Sequence, residues 1–276
     1  MDTGMQDISK ISKGLIGVVL TILGFLMILP FLWMFLSSFK TSTEISLSQS
    51  FWPQHWTIDN YKNLFTNGSF DIYVKNTLII TAASFIGLFL NAMAGYGFAK
   101  FDFKGRKFLF MAVLATMMIP GQVTMIPVYL ILNQMQLTNT LLGIILPGLV
   151  GAFGIFLFRQ FMSNIPDSIV EAARLDGAGE WYIFFHLILP ISKPVLAVQG
   201  ILTFIGGWNA FLWPLIIAND QKYYTLSVGL QLLQGQHTSD YGLQMAGSSF
   251  MVIPIIIIFI IFQKYILQGF NIQMDK

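Results

Sequence analysis

The residues best suited to do chemistry stand together in one short stretch, Glu171-Ala172-Ala173-Arg174-Leu175-Asp176-Gly177-Ala178, with Ile188-Leu189-Pro190 downstream. Two carboxylates and a guanidinium interleaved with alanines suit noncovalent recognition better than bond breaking. Small side chains let another surface approach a helix backbone, and a glycine can end that helix in left-handed geometry. No other constellation competes with it. His55, His186 and His237 are far apart and lack metal-ligand spacing. The chain has no cysteine, so thiolate and disulfide chemistry drop out. A G-x-x-x-x-G-K-[ST] phosphate loop is also missing, so this chain does not hydrolyse ATP itself. No catalytic residue and no metal site can be assigned, which leaves a handle for a partner.

Local signals give that handle a shape. Ser168 lies three positions before Glu171, a capping-box spacing that predicts a helix starting near Ile169. Pro166 and Asp167 suit a helix start as well. At 100° per residue Ile169, Ala172, Ala173 and Asp176 share one arc, with Glu171 and Arg174 on the other side. Gly177 then reads as the left-handed residue that turns the chain into a second short helix, Trp181–His186. From the residues alone, a helix–turn–helix that merely links its neighbours remains an equal reading.

The elements that must position this turn are apolar. Hydrophobic residues make up 55% of the chain, charged residues only 10%, and mean hydropathy is +0.69, whereas a soluble domain carries about 25% charged residues. Six runs are long enough to cross a membrane core at 1.5 Å per residue: 14–36, 74–98, 108–132, 139–161, 194–218 and 245–262. The expected fold is an all-α polytopic membrane protein, a single domain over 1–276, with the polar loop 163–193 between spans four and five. Proline in most spans (Pro30, Pro120, Pro127, Pro147, Pro214, Pro254) predicts kinks, two of them in span three. Ala83/Gly87, Gly95/Ala99 and Gly206/Ala210 predict close helix packing. The first span is too long and bulky, and lacks the cleavage site, for a removable signal peptide.

Basic residues set the orientation. With a cytoplasmic N-terminus, eleven of the fifteen Lys and Arg fall inside, anchored by Lys100, Lys104, Arg106 and Lys107. Both termini and the 163–193 loop are then expected in the cytoplasm. The net charge of +2 reads as topology rather than a nucleic-acid footprint.

The E-A-A-x-x-D-G-A…I-x-L-P pattern resembles the EAA loop of ABC-importer permeases. Leu29-Pro30-Phe31-Leu32-Trp33, Asn91–Ala99, Met118-Ile119-Pro120 with Ile126-Pro127, and Gly207-Trp208-Asn209-Ala210-Phe211 are similar to the carbohydrate-importer branch, maltose-type, over nearly the whole chain. The resemblance implies that Glu171, Ala172, Ala173, Asp176, Gly177 and Ala178 seat in a cytoplasmic ATPase subunit. A rigid turn tied to spans four and five would carry closure into the membrane. It also implies a second homologous permease, two ATPase copies that bind ATP and Mg²⁺, an extracytoplasmic solute-binding protein and a sugar substrate. This chain would form half of the pathway and hold no cofactor.

Span interiors lack Asp, Glu, Lys and Arg, which disfavours ion-driven transport. Polar or aromatic residues there are candidates for the substrate path: Asn209 with Trp208, then Asn91 and Gln122. Thr124 and Gln199 fit interhelical hydrogen bonds better, and Trp213 could add an aromatic face. In the outer loop 219–244, Tyr223, Tyr224, Gln234 and His237 are candidates for contact with the binding protein, the alternative being a solvated connector. Trp52 and Trp56, in the first outer loop, suit the membrane interface. An ion-driven carrier or channel, a scaffold, and an importer of a glycerol phosphodiester or polyol remain alternatives.

Overall fold

Residues 2–48, 50–236 and 240–271 are described in a computed structural model. Among them every regular element is a helix. Four helical stretches are long and apolar enough to span a membrane: Gly14–Ser37, Phe70–Lys100, Lys193–Ile217 and Tyr241–Gln263. Two bent helix pairs bring the number to six if each pair is one span.

Both bent pairs are correctly located by the prolines, but the third span is not the doubly kinked rod expected. Helix α5 (Arg106–Met117) and helix α6 (Gly121–Gln134) meet at 101°. Pro120 sits at the break with ψ 130°, and Ile119 before it lies in a bend outside both helices, as the residue before a proline is disfavoured in helical geometry. Neither helix alone, at about 1.5 Å per residue, reaches across a ~30 Å core. Pro127 lies inside α6 without ending it. Next, α7 (Leu141–Ile145) continues as a tight turn through Gly148 and meets Ala152–Met162 at 40°, Pro147 lying in that turn just before the break. Pro30 and Pro254 also sit inside continuous helices.

The chain forms two compact units. One comprises the described residues up to 68 and those from 230 to 253. It contains α1 (Asp2–Ser37), α2 (Ser42–Leu47) and α3 (Asp59–Asn67). The side chains of α1 from Leu15 to Phe35 are almost all exposed, as lipid-facing residues should be. The segment after α1 is ordered by polar ties: Asn60 Nδ2 donates to the carbonyls of Ser38 (2.8 Å) and Lys40 (2.7 Å), and buried Lys40 donates to Ser50 O. Trp52 and Trp56 are exposed.

The other unit comprises residues 69–229 and the described residues from 254 onward. Its centre is α4 (Phe70–Lys100), which packs most extensively on α8 (Ala152–Met162) and next on α12 (Lys193–Trp208). Glycine makes the first contact possible. A Cβ at Gly87 would lie 1.7 Å from Leu149 O, and one at Gly95 would lie 2.4 Å from Phe158 Cβ. Opposite α12, Gly207 rather than Gly206 meets α4, against Thr81. At the end of the unit bearing Ile80, the chain between spans is tied by Asn139, whose Oδ1 accepts from the N–H groups of Asn219 and Asp220, both at 3.0 Å.

Candidate functional site: the polar loop and the central cavity

Helix α9 (Asp167–Leu175) forms the first arm of the loop. It begins earlier than expected, with Pro166 as N-cap and no side-chain capping bond, so the Ser168–Glu171 box does not form. Pro166 has no N–H to satisfy and pre-sets the entry, and Asp167 supplies the favourable negative charge at the first turn. The helix ends as its sequence demands. Gly177 has φ +81°, its N–H donates to Arg174 O and the N–H of Ala178 donates to Ala173 O, both at 3.0 Å. This is the paired 5→2 and 6→1 closure of a Schellman turn, which needs a residue without Cβ at the left-handed position.

The second arm differs from a lone short helix. A turn at α10 (Glu180–Ile183) runs into a π-helical segment, Phe184–Ile188, and then α11 (Leu189–Ile191). Pro190 cannot supply a backbone donor there.

Which face looks outward also corrects the helical-wheel expectation. Val170 is buried and Ala173 and Ala178 pack against the apolar cluster of Ala92, Tyr96, Phe158, Met162, Ile183 and Phe184. Ala173 therefore belongs to the protein's own packing. The outward face carries Ser168, Glu171, Ala172, Leu175 and Asp176, and Leu175, at 89% exposure, is its most prominent apolar point. An exposed leucine on an ordered, polar turn is the signal that the sequence pattern alone did not single out.

Two polar ties hold the loop to the end of α4. The Lys100 side chain, only 2% exposed, bonds to Ile165 O and, at 2.6 Å, to Asp167 Oδ1. That hydrogen bond first, and the ammonium charge second, hold the Asp167 carboxyl below its usual range. One helical turn earlier, the Tyr96 hydroxyl donates to Glu180 Oε2 at 2.9 Å, while Arg174 Nε donates to Glu180 Oε1 at 2.6 Å. The Arg174 bond is the main reason the Glu180 carboxyl also lies low, with burial opposing it. The Arg174 guanidinium stands 5.5 Å from the Phe101 ring centre. These ties run to α4, in addition to the packing of the loop on Phe158 and Met162 of α8.

A cavity of about 610 Å³ opens within the same unit. Asn91, Gln122, Thr124, Gln199, Thr203 and Trp213 line it, and no charged side chain does. Trp208 and Asn209 are placed elsewhere: Trp208 is buried and stacked on Phe204 at 5.7 Å, and Asn209 is the exposed C-cap of α12. Asn91 has a structural partner, its Oδ1 accepting the Gly151 N–H at 3.1 Å across the break in span four. Trp213 Nε1 donates to Gly143 O. Among the expected outer contacts, Tyr223 and Tyr224 pack on the Ile80 cluster, with Asn76 Nδ2 donating to the carbonyls of Lys222 and Tyr224. Gln234 is exposed on the helix Leu226–Gln236, and His237 lies outside the described residues.

Residues 83–271 match the family described as binding-protein-dependent transport system inner membrane component. The chain belongs to that family. It is a membrane-embedded, non-catalytic permease subunit of an ABC transporter. It is 35% identical to the arabinooligosaccharides transport system permease protein AraQ of Halalkalibacterium halodurans, over 96% of both chains. It is 33% identical to the diacetylchitobiose uptake system permease protein NgcG of Streptomyces coelicolor, over 87% of this chain and 82% of that one. A chain from a bacterial ABC transporter involved in import of the acidic polysaccharide alginate has the same fold, with TM-score 0.82 at 24% identity over 93% and 96% of the two chains.

Proposed function

We propose that this chain is one permease of an ATP-driven sugar importer, and that its 163–193 loop lies in the cytoplasm, where it seats in a separate ATPase subunit. The single observation that carries the docking role is the ordered turn that presents exposed Leu175, Ala172, Glu171 and Asp176 from a base fixed by Gly177 and the Schellman bonds. An apolar knob surrounded by carboxylates has the composition of an interface point with a polar rim. The ATPase binds ATP and Mg²⁺; this chain supplies the surface that feels closure. Two ATPase copies, a companion permease and an external binding protein complete the assembly, with both termini of this chain in the cytoplasm.

The cargo on this reading is a neutral oligosaccharide. Support comes from the sugar importers among its relatives and from the uncharged polar lining of the 610 Å³ cavity, with Gln122, Thr124 and Gln199 able to meet hydroxyl groups. Solute outside and nucleotide inside would bias one inward–outward equilibrium.

The test is a pair of substitutions in the assembled importer. Leu175→Asp places a charge at the knob, and Gly177→Pro forbids φ +81° and removes the bond to Arg174 O. Both are expected to abolish stimulation of ATP hydrolysis by binding protein loaded with arabinotriose while the chain still inserts in the membrane. Full stimulation in both would refute the docking role.

A further inference from the structure

We propose that Lys100 and Tyr96 are positioning residues that make the Gly177 turn move as one body with α4, so that force applied to the loop enters the membrane through span two. This rests on the docking role proposed above and adds to it the route of transmission.

The covalent route is poorly suited to carry force. Toward span four the loop passes through the bend Ser163–Pro166, and toward span five through the π-helical segment Phe184–Ile188 and the break at Ser192. Irregular segments of this kind absorb changes in backbone angle. The noncovalent route is direct. Tyr96 and Lys100 are four apart and so stand on one face of α4. Lys100 grips Asp167 and Ile165 O, where the first arm begins, and Tyr96 grips Glu180, where the second arm begins. Arg174, near the end of the first arm, closes on the same Glu180. Two clips on either side of the turn resist both sliding and rotation, which one clip would not.

The chemistry of the clips argues for geometry over bulk adhesion. Ala92, Tyr96, Phe158, Val170, Ile183 and Phe184 already bury the loop against the body through apolar packing. Burying the Lys100 ammonium adds a desolvation cost that an apolar side chain at the same place would not carry. What the charged and hydrogen-bonded pairs add is direction, since each holds only at short range and in one orientation.

Because the chain has no cysteine, spin labels can be placed at two chosen sites, Gly97→Cys on α4 and Gly179→Cys in the turn. A Cβ at either position meets nothing within 4 Å. In the importer assembled with its companion permease, ATPase and binding protein, pulsed EPR should give one narrow 97–179 distance that changes by less than about 2 Å on adding ATP, the scale of a small helix shift. Tyr96→Phe and Lys100→Met should each broaden that distribution. They should also cut the stimulation of ATP hydrolysis by arabinotriose-loaded binding protein about 5-fold or more, a coupling loss of about 1 kcal/mol or more, while the ATPase subunit still co-purifies. Lys100→Asp combined with Asp167→Lys should narrow the distance again and restore part of the stimulation. A 97–179 distance that shifts with ATP in the otherwise unaltered chain would overturn the proposal, as would full stimulation with a narrow distance in both single variants. Failure of the ATPase to co-purify with the parent chain would instead count against the docking role, and the clip would still be judged from the same distance in the permease pair alone.

Discussion

Lys100 and Asp167, 67 positions apart in sequence, meet at 2.6 Å with the lysine buried and the carboxylate exposed. The pair joins the last residue of α4 to the first of α9. Its asymmetry sets its character. The lysine also donates to Ile165 O, so the cation is satisfied from two sides, whereas the aspartate side chain stays largely exposed.

Acid should release this junction, and the sign follows from the carboxylates. Asp167 is lowered from 3.8 by the Lys100 bond, and Glu180 from 4.5 by the Arg174 bond. A carboxyl with a depressed folded value contributes stability in full above its unfolded value and loses it as pH falls through the folded one. The labelled 97–179 distance should therefore stay narrow between about pH 5 and 8 and broaden only below the ordinary carboxylate range of about 4. Broadening near pH 6 to 7 would mean that other groups hold the loop.

The approach of spans two and four predicts a sharp position effect among glycines. Gly87→Ala forces a Cβ onto Leu149 O, while Gly97→Ala points into open space. Overpacking of this kind costs about 1–3 kcal/mol. Thermal unfolding of the purified permease, followed by scanning fluorimetry, should show a clear loss for Gly87→Ala and little for Gly97→Ala. Equal midpoints would contradict the packing described here.

How much of this was legible in the chain depends on the range of the cause. Gly177 could be read because its role is local: a helix end needs a residue that tolerates positive φ, and the flanking pattern says where. Pro120 was legible as a kink for the same reason, though the 101° angle depends on packing around it and was not. Pro127 shows the limit, since neighbouring structure can keep a proline-bearing helix intact. The Tyr96–Glu180 bond links residues 84 apart, and no pattern in either segment announces it. Trp208 and Asn209 looked like pathway residues because they are polar or amphipathic in an apolar run. Burial of one and the terminal position of the other are tertiary facts.

Asn91 separates structure from pathway by a simple substitution. Its Oδ1 takes the Gly151 N–H at the break in span four, a donor with no helical partner of its own. Asn91→Leu should cost about 1–3 kcal/mol through that unsatisfied group, read as a lower unfolding midpoint. The ranking of neutral oligosaccharides offered as probes, arabinotriose against diacetylchitobiose, should not change. A changed ranking with unaltered stability would return Asn91 to the substrate path.

The cavity itself can be tested from a side that tolerates bulk. Gly206 lines it, and a Cβ there meets nothing within 4 Å. Gly206→Phe should fill part of the 610 Å³ space without disturbing the neighbouring Gly207, which does pack on Thr81. The complex should assemble, with ATPase bound and unfolding midpoint unchanged. Uptake of the imported sugar into vesicles should fall about tenfold or more, equivalent to at least about 1.4 kcal/mol against passage. Gln122→Leu, which removes a lining amide while leaving the space open, should lower uptake less, because Thr124, Gln199 and Thr203 remain to meet hydroxyl groups. If filling at Gly206 leaves uptake intact, solute must cross elsewhere, and the companion permease would hold the whole path.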